Sequence, residues 1–345
     1  MLSDGLIGAI VLKWFGANHF VPTVMPTDFH HSPAGQAVLL FGEVLFDCFA
    51  ERELPGGAPF NVAHHLRGLG RELGITPVLI SRVGNDARGR RLLEIIRAAG
   101  LPLDGIQQDN DHPTGAVLVT EDPTGNHRFE IAPQQAWDFI EADTALSRIN
   151  SDSPWLYFGT LAQRAGSHAA LRAMTQTRRT RGFLDVNLRD PWVHEDVLCW
   201  SLQHAEIVKV SEAELLRIAA MSGSASASVR ELGERVVREF DIAQLLVTNG
   251  EHGAWVLTSR GEYLHTSPAT AAANIKPVVD TVGAGDAFAA VYWLGLLLDW
   301  PIQQTLDRAH AFAIQICGLR GAIPDRPTFY DPFISEWQLA EAHAV

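Results

Sequence analysis

Residues 280–291 read DTVGAGDAFAAV, with two carboxylates, Asp280 and Asp286, set around a run of small residues. The chain continues as AFAAVYWLGLLL (287–298), apolar on every side, the pattern of a helix buried all round. Val278 and Val279 just before it read as the end of a buried extended run. Gly283, Ala284 and Gly285 form a small-residue loop at the helix N-terminus. Backbone N–H groups there lack intrahelical acceptors and have the positive end of the helix dipole behind them. That is an anion site, and Asp286 shares its space from the first helical turn. A carboxylate facing an anion makes chemical sense if it takes a proton from a hydroxyl that attacks a phosphoryl group, while the amides hold the developing charge. Taken alone, the same carboxylate would serve equally as a cap on a buried helix.

From VLLFGEVLF (38–46) onward, short apolar runs alternate with amphipathic stretches, which predicts an α/β fold with a mostly parallel sheet. Strands are expected at 76–83, 155–159, 182–187, 205–210 and 244–249. DARGRRLLEIIRAAG (86–100) predicts a surface helix with Leu92, Leu93, Ile96 and Ala99 on one face, Asp86 as N-cap and Gly100 as its stop. Two segments, 46–57 and 113–133, break the rhythm. The second reads as two β runs joined by DPTGN, and the two segments together predict a small β flap. SGSASAS (222–228) reads as a loop ahead of the helix VRELGERVVREF.

A second glycine motif lies in LPGGAPFNVAHHLRGLG (54–70). Gly56 and Gly57 permit close approach of a ligand to the backbone, and Asn61 offers both donor and acceptor, equipment for gripping sugar hydroxyls. Val62, Ala63, Leu66 and Leu69 supply the apolar face of the helix after it. By itself this motif could be any glycine turn before a helix. No GxxxxGK[ST] loop occurs, so phosphoryl transfer here would not be of the P-loop type.

The net charge of −13 argues against a nucleic-acid partner, although it leaves room for a local cationic pocket. Cys48, Cys199 and Cys317 are far apart and show no metal or redox spacing, so they read as reduced residues of a cytoplasmic protein. The apolar N-terminal run is interrupted by Lys13, Asn18 and His19, too soon for a membrane span. Asp4 and the lack of a basic start argue against a signal peptide. Residues 1–36 read as an appendage, 37–335 as the main domain and 336–345 as a tail. The Trp residues, including Trp155, Trp192 and Trp293, read as packing. His64, His65 and the turn DNDH (109–112) read as solvated or capping groups.

The series FGEVLFD, GGAPFN, RVGNDARGR, the flap hairpin, DVNLR, VKVSEAEL, LLVTNGEHGAWV, DTVGAGDAF and GLRGAIP, spanning about Val38 to Pro327, resembles the ribokinase-like (PfkB-type) sugar kinases. The resemblance implies a three-layer α/β/α fold with a β lid from about 46–57 and 113–133. It also implies roles for matching positions. Asp286 would be the catalytic base and Gly283, Ala284 and Gly285 its anion hole. Asp47, Gly56, Gly57, Asn61, Asn187 and Arg189 would bind the sugar, with Phe129 and Glu130 covering it from the lid. Arg189 would clamp a phosphate or a carboxylate, unless it forms a surface ion pair. Lys209, Ser211, Thr248, Gly250 and Gly253 would face ATP, and Glu214 would bind Mg²⁺ through water. Ser211 stands where the family has Asn, which shortens the side chain, and Asn249 replaces a common aliphatic residue. Asp280 with carbonyls near Gly318 to Gly321 would hold a monovalent cation such as K⁺.

GGAPFNVA, DVNLR and VKVSEAEL look most like fructokinases, and FEIAPQQAWDFI (129–140) resembles their flap, so that Trp137 and Asp138 would reach the sugar. The expected reaction is phosphorylation of fructose at its 6-hydroxyl. Ribose, 2-keto-3-deoxygluconate and nucleosides are alternative acceptors, and a non-catalytic sugar or nucleotide sensor is the alternative of another class. Exposed flap edges leave room for a homodimer through the lid.

Overall fold

The computed structural model describes residues 38–121, 127–147, 154–177, 180–221, 228–267 and 278–339. The expectations for residues 1–36, 340–345, the turn 122–126 and the loop 222–227 lie outside the described residues. In chain order the strands are β1 (Val38–Phe41), β2 (Leu45–Cys48), β3 (Glu53–Gly56), β4 (Val78–Gly84), β5 (Ile106–Asp109), β6 (Gly115–Glu121) and β7 (His127–Ile131). They continue with β8 (Trp155–Gly159), β9 (Arg181–Asp185), β10 (Ile207–Ser211), β11 (Gln244–Thr248), β12 (Ala254–Thr258) and β13 (Tyr263–His265). The longer helices are α1 (Ala58–Leu69), α2 (Ala87–Ala98), α3 (Ala165–Thr177), α4 (Glu195–Gln203), α5 (Glu212–Met221), α6 (Val229–Phe240), α7 (Ala284–Leu297) and α8 (Ile302–Ile316).

A nine-stranded sheet runs in the order β13-β12-β11-β10-β9-β8-β1-β4-β5. All pairs from β11 to β5 are parallel, and β12 and β13 complete one edge antiparallel. Strand β1 is VLLF, buried throughout, as a strand covered on both faces must be. Its residues alternate between two cores. Val38 and Leu40 face α1, α2, α7 and α8, whereas Leu39 and Phe41 face α3, α4, α5 and α6. The result is three layers, as the resemblance implied.

The chain leaves β1 in one direction to β4 and β5 and later returns on its other side through β8, β9, β10 and β11. Such a reversal of strand order opens a crevice at the carboxyl ends of the strands, the usual ligand position in open α/β sheets. A second sheet, β3-β2-β6-β7, stands over that edge. It is mixed: β2 pairs β6 in parallel, while β2/β3 and β6/β7 are antiparallel. This is the expected lid.

Local signals hold where they rest on capping chemistry. The side chain of Asp86 caps α2 by accepting the Gly89 N–H, and Ser228 with Glu231 forms a reciprocal capping box on α6. The extended run before Asp280 departs from expectation, because Val278 and Val279 are 64% and 54% exposed along the crevice mouth instead of buried. Helix α7 is buried as predicted, and Trp293 packs at ring-centroid distances of 5.8 to 6.3 Å against Phe183, Tyr157 and Trp155 of the sheet. Trp293→Ala should therefore cost about 3–5 kcal/mol. A denaturant midpoint that falls with an unchanged m-value would register it.

Candidate active site

Helices α1 and α7 begin at the crevice, and the sequence clears both starts of side chains. Gly283, with φ 78, is the N-cap of α7, and a Cβ on it would run into Ala322. Gly57, with φ 104, is the N-cap of α1, and a Cβ there would strike the Glu43 carbonyl. Only glycine meets both demands. The two helices pack together, and Asn61 Nδ2 donates to Asp286 Oδ2 at 2.7 Å across 225 residues of sequence. The Ala284 N–H turns back to the Thr281 carbonyl at 3.3 Å. The amides of Gly285 and Asp286, within the first turn, have no intrahelical acceptor.

Behind this turn lies a buried cation. Lys209 Nζ donates to both oxygens of Asp185, at 2.9 and 2.8 Å, and the Tyr157 hydroxyl donates to Asp185 Oδ2 at 3.1 Å. The ammonium sits 3.2 Å from where a Gly285 Cβ would project. Burial opposes its charge, yet the Asp185 carboxylate holds the Lys209 pKa above its usual value.

Several acids face the same space. Burial, reinforced by the charge of Asp185, pushes Asp286 up to about 7, against the pull of Asn61, Lys209 and Arg189. Glu43, whose Oε1 accepts the Ala58 N–H at 3.2 Å, is raised to about 7 by burial and further by Asp286. Asp47 is raised to about 6, again by burial, with Arg189 pulling it back. The cleft has a volume of about 1310 Å³, above the usual range for one small-molecule site. At its floor are a carboxyl that titrates near neutrality, amides suited to an anion and a fixed ammonium, an arrangement able to deprotonate a hydroxyl beside a phosphoryl group.

A model of the pfkB family of carbohydrate kinases matches residues 28–328. The chain belongs to that family. It is 34% identical over 273 residues to a fructokinase of Escherichia coli, covering 75% of this chain and 84% of that one. It is 26% identical to an aminoimidazole riboside kinase of Salmonella typhimurium, over 89% of this chain and 98% of that one. Among solved structures it resembles a fructokinase variant of Vibrio cholerae O395 in fructose-, ADP- and potassium-bound form, with TM-score 0.64, 25% identity and coverage of 83% and 94%.

Of the positions singled out in this pfkB kinase, Asp47, Gly57, Asn61, Phe129, Asn187, Arg189, Lys209, Asp280, Gly283, Gly285 and Asp286 all line one cleft. Gly56 lies beside it and makes room for Asp47, whose Oδ2 is 2.6 Å from where a Gly56 Cβ would stand. Asp280 accepts the Gly321 N–H at 3.1 Å and the Val282 N–H at 3.0 Å, so it reaches the expected loop. Arg189 forms no surface ion pair among the described residues, and its guanidinium donates to the Leu188 carbonyl.

Other positions sit elsewhere. Glu130 is exposed outside the cleft wall, since successive residues of β7 face opposite ways. Thr248, Gly250 and Gly253 lie at the end of β11, beyond Ser211, along the same sheet edge. Ser211 and Glu214 form a reciprocal cap at the start of α5: Glu214 Oε2 accepts from Ser211 N and Oγ, and Ser211 Oγ accepts the Glu214 N–H. Trp137 and Asp138 do not reach the cleft. Both are buried, and Asp138 accepts two bonds from Arg164 at 2.8 and 2.9 Å. His64 and His65 are held by Tyr330 instead of solvent. Sequence reasoning missed Glu43 and Arg320 of the cleft wall. The lone acid in LFGEVLF, amid apolar residues, was the available sign of the first.

With Asp286 as base, kcat/KM should rise with pH through about 7 and be lost below it as the carboxyl protonates. Asp185→Asn removes a neighbouring negative charge and frees Lys209, both of which favour the ionised base. The acid limb of a pH–rate profile should then move to lower pH, and a limb that stays fixed would count against this coupling.

Proposed function

We propose that this chain is an ATP-dependent sugar kinase that transfers the γ-phosphoryl group to the primary 6-hydroxyl of fructose. The observation that carries the reading is the Asn61–Asp286 hydrogen bond at the cleft floor, beside the first-turn amides of α7. A sugar held there by Asn61, Asp47, Asn187 and Arg189, between the backbone of Gly56 and Gly57 and the lid residue Phe129, presents its hydroxyl to Asp286. Asp286 takes the hydroxyl proton as the oxygen attacks phosphorus, and the bond to ADP breaks. Gly283, Gly285 and Lys209 face the charge that develops on the phosphoryl oxygens.

The nucleotide would lie along the sheet edge toward Thr248, Gly250 and Gly253. Mg²⁺ would ride on the phosphates and keep most of its waters, as this small, tightly hydrated cation does when few carboxylates meet it. Glu214, fixed by the Leu188 N–H at 2.7 Å, would hold it through water. Bound Mg²⁺ supplies charge neutralisation on the phosphates. One carboxylate, Asp280, in contact with the loop that ends at Gly321 would suit a monovalent cation such as K⁺. Strands β3 and β7, at the lid's two edges, support pairing of two copies there.

Fructose is supported by the Escherichia coli and Vibrio relatives. The apolar lid wall of Val117, Val119, Phe129 and Ile131 gives an aminoimidazole riboside a second claim, since a heterocycle would lie well against it. Phosphoryl transfer from ATP should be compared over fructose, ribose, 2-keto-3-deoxygluconate, adenosine and aminoimidazole riboside, with and without K⁺. The highest kcat/KM is expected for fructose. Asp286→Ala should lower kcat by about 10²–10⁴ while sugar binding persists. Wild-type protein that binds a sugar and turns over none of these would instead establish a sensor.

A further inference from the structure

His65 stands one helical turn after Asn61 on α1, so both side chains leave the same face. Asn61 reaches Asp286, and His65 Nε2 reaches the Ala322 carbonyl at 3.0 Å. A carbonyl only accepts, so Nε2 carries the proton. The neutral ring then offers Nδ1 as an acceptor, and the Tyr330 hydroxyl, 3.0 Å away, donates to it. Tyr330 Oη in turn accepts from His64 Nδ1 at 2.9 Å. Burial keeps both rings neutral, holding His65 down to about 3 and His64 to about 4. The proton order is thereby fixed along the chain His64, Tyr330, His65, Ala322.

The carbonyl at the end of this chain belongs to the segment on which the anion hole rests. Ala322 packs against Gly283, and its neighbour Gly321 donates to Asp280. Neither His64, His65 nor Tyr330 lines the cleft. On the other side of Tyr330, a Cβ on Gly68 would collide with the ring, so the phenol is seated closely on α1. Helix α1 thus touches the base directly and the bed of the anion hole through one further residue.

We propose that His65, oriented by Tyr330, is a positioning residue for phosphoryl transfer: it fixes Gly321–Ala322 against the start of α7 and so sets the amides that face the transferred phosphoryl group. This rests on the kinase reading above. The test uses the full chain with His65→Leu, which deletes the donor, His65→Gln, which returns an amide N–H near the Nε2 position, and Tyr330→Phe, which leaves Nδ1 unpartnered. Steady-state kinetics with the preferred sugar and hydrogen exchange of the segment 317–324 are the two readouts.

His65→Leu should lose about tenfold or more in kcat with sugar KM within about twofold, and exchange over 317–324 should quicken. His65→Gln should recover most of both, and Tyr330→Phe should fall between. The proposal is overturned if folded His65→Leu keeps wild-type kcat, or if His65→Gln falls as far as His65→Leu. Should His65→Leu fail to fold, unchanged kcat and exchange in folded Tyr330→Phe overturn it equally. A wild-type protein inactive on every sugar would sink the kinase reading instead, while the exchange readout would still report whether His65 holds the segment.

Discussion

One hydrogen bond, from Asn61 to Asp286, ties the helix after the first glycine motif to the helix after the last. Side chains in the opening turn of two helices can meet only if both helix starts are bare, which is what Gly57 and Gly283 provide. It also leaves both starts without a side-chain cap of their own. For α1 the want is met from another element, because Glu43, just past the end of β1, accepts the Ala58 N–H. A buried acid that would otherwise be costly is thus placed against the positive end of a helix dipole, the environment that tolerates it best. The glycines, the borrowed cap and the paired Asn–Asp are consequences of one demand, that backbone amides from two helices reach one cleft.

That demand sets the electrostatics. Glu43, Asp47, Glu51, Asp185, Asp280 and Asp286 crowd a space whose cations are Arg52, Lys209, Arg189 and Arg320. Like charges so close cannot all ionise without cost, which is why burial and mutual repulsion lift Glu43, Asp47 and Asp286 toward neutrality. Burial raises Asp185 too, but Lys209 pulls against it, and the same ion pair holds Lys209 charged beside the first turn of α7. The cleft therefore keeps a carboxyl that changes state near neutral pH and a fixed cation that does not.

Backbone demands were the legible part of the sequence. Glycine at two helix starts, an all-apolar helix and a lone Asp in its first turn mark the cleft floor, and at the two starts only glycine satisfies the backbone and the space. Strand-end residues such as Asn187 and Arg189 were legible for the same reason, since the sheet's carboxyl edge is where ligands go. Side-chain pairings across long separations were not. Ser211 looked like a shortened Asn, yet Ser-x-x-Glu is itself a capping box, and the pair closes reciprocally on α5. Trp137 and Asp138 looked like sugar contacts by their place after the flap, but Arg164, from the turn before α3, claims both, and no local pattern announces a partner so far along the chain. Val278 and Val279 carry a strand's composition and meet no strand partner among the described residues, since composition cannot report whether a neighbour is present.

The small sheet is fastened to the main body at two roots, through different chemistry at each. On its return side, Arg164 is sandwiched between the rings of Trp137 and Trp192 at 4.3 Å from each, and donates to the Ala132 carbonyl at 3.1 Å. The Trp192 indole N–H donates to the Ile131 carbonyl at 3.2 Å, so the end of β7 is fastened to the main body. On the outgoing side, β1 passes into β2 through Gly42, Glu43 and Val44, with the Gly42 N–H bonded to Ile80 of β4. In the register of this sheet Asp47 pairs with Val117 and Val117 with Ile131, near these roots, whereas Phe129 pairs with Val119 farther out. Glu43 sits in that outgoing root and caps α1, whose Asn61 donates to Asp286. The small sheet and the cleft floor are therefore joined through one side chain, because the residue that leads into β2 is also the one that caps α1.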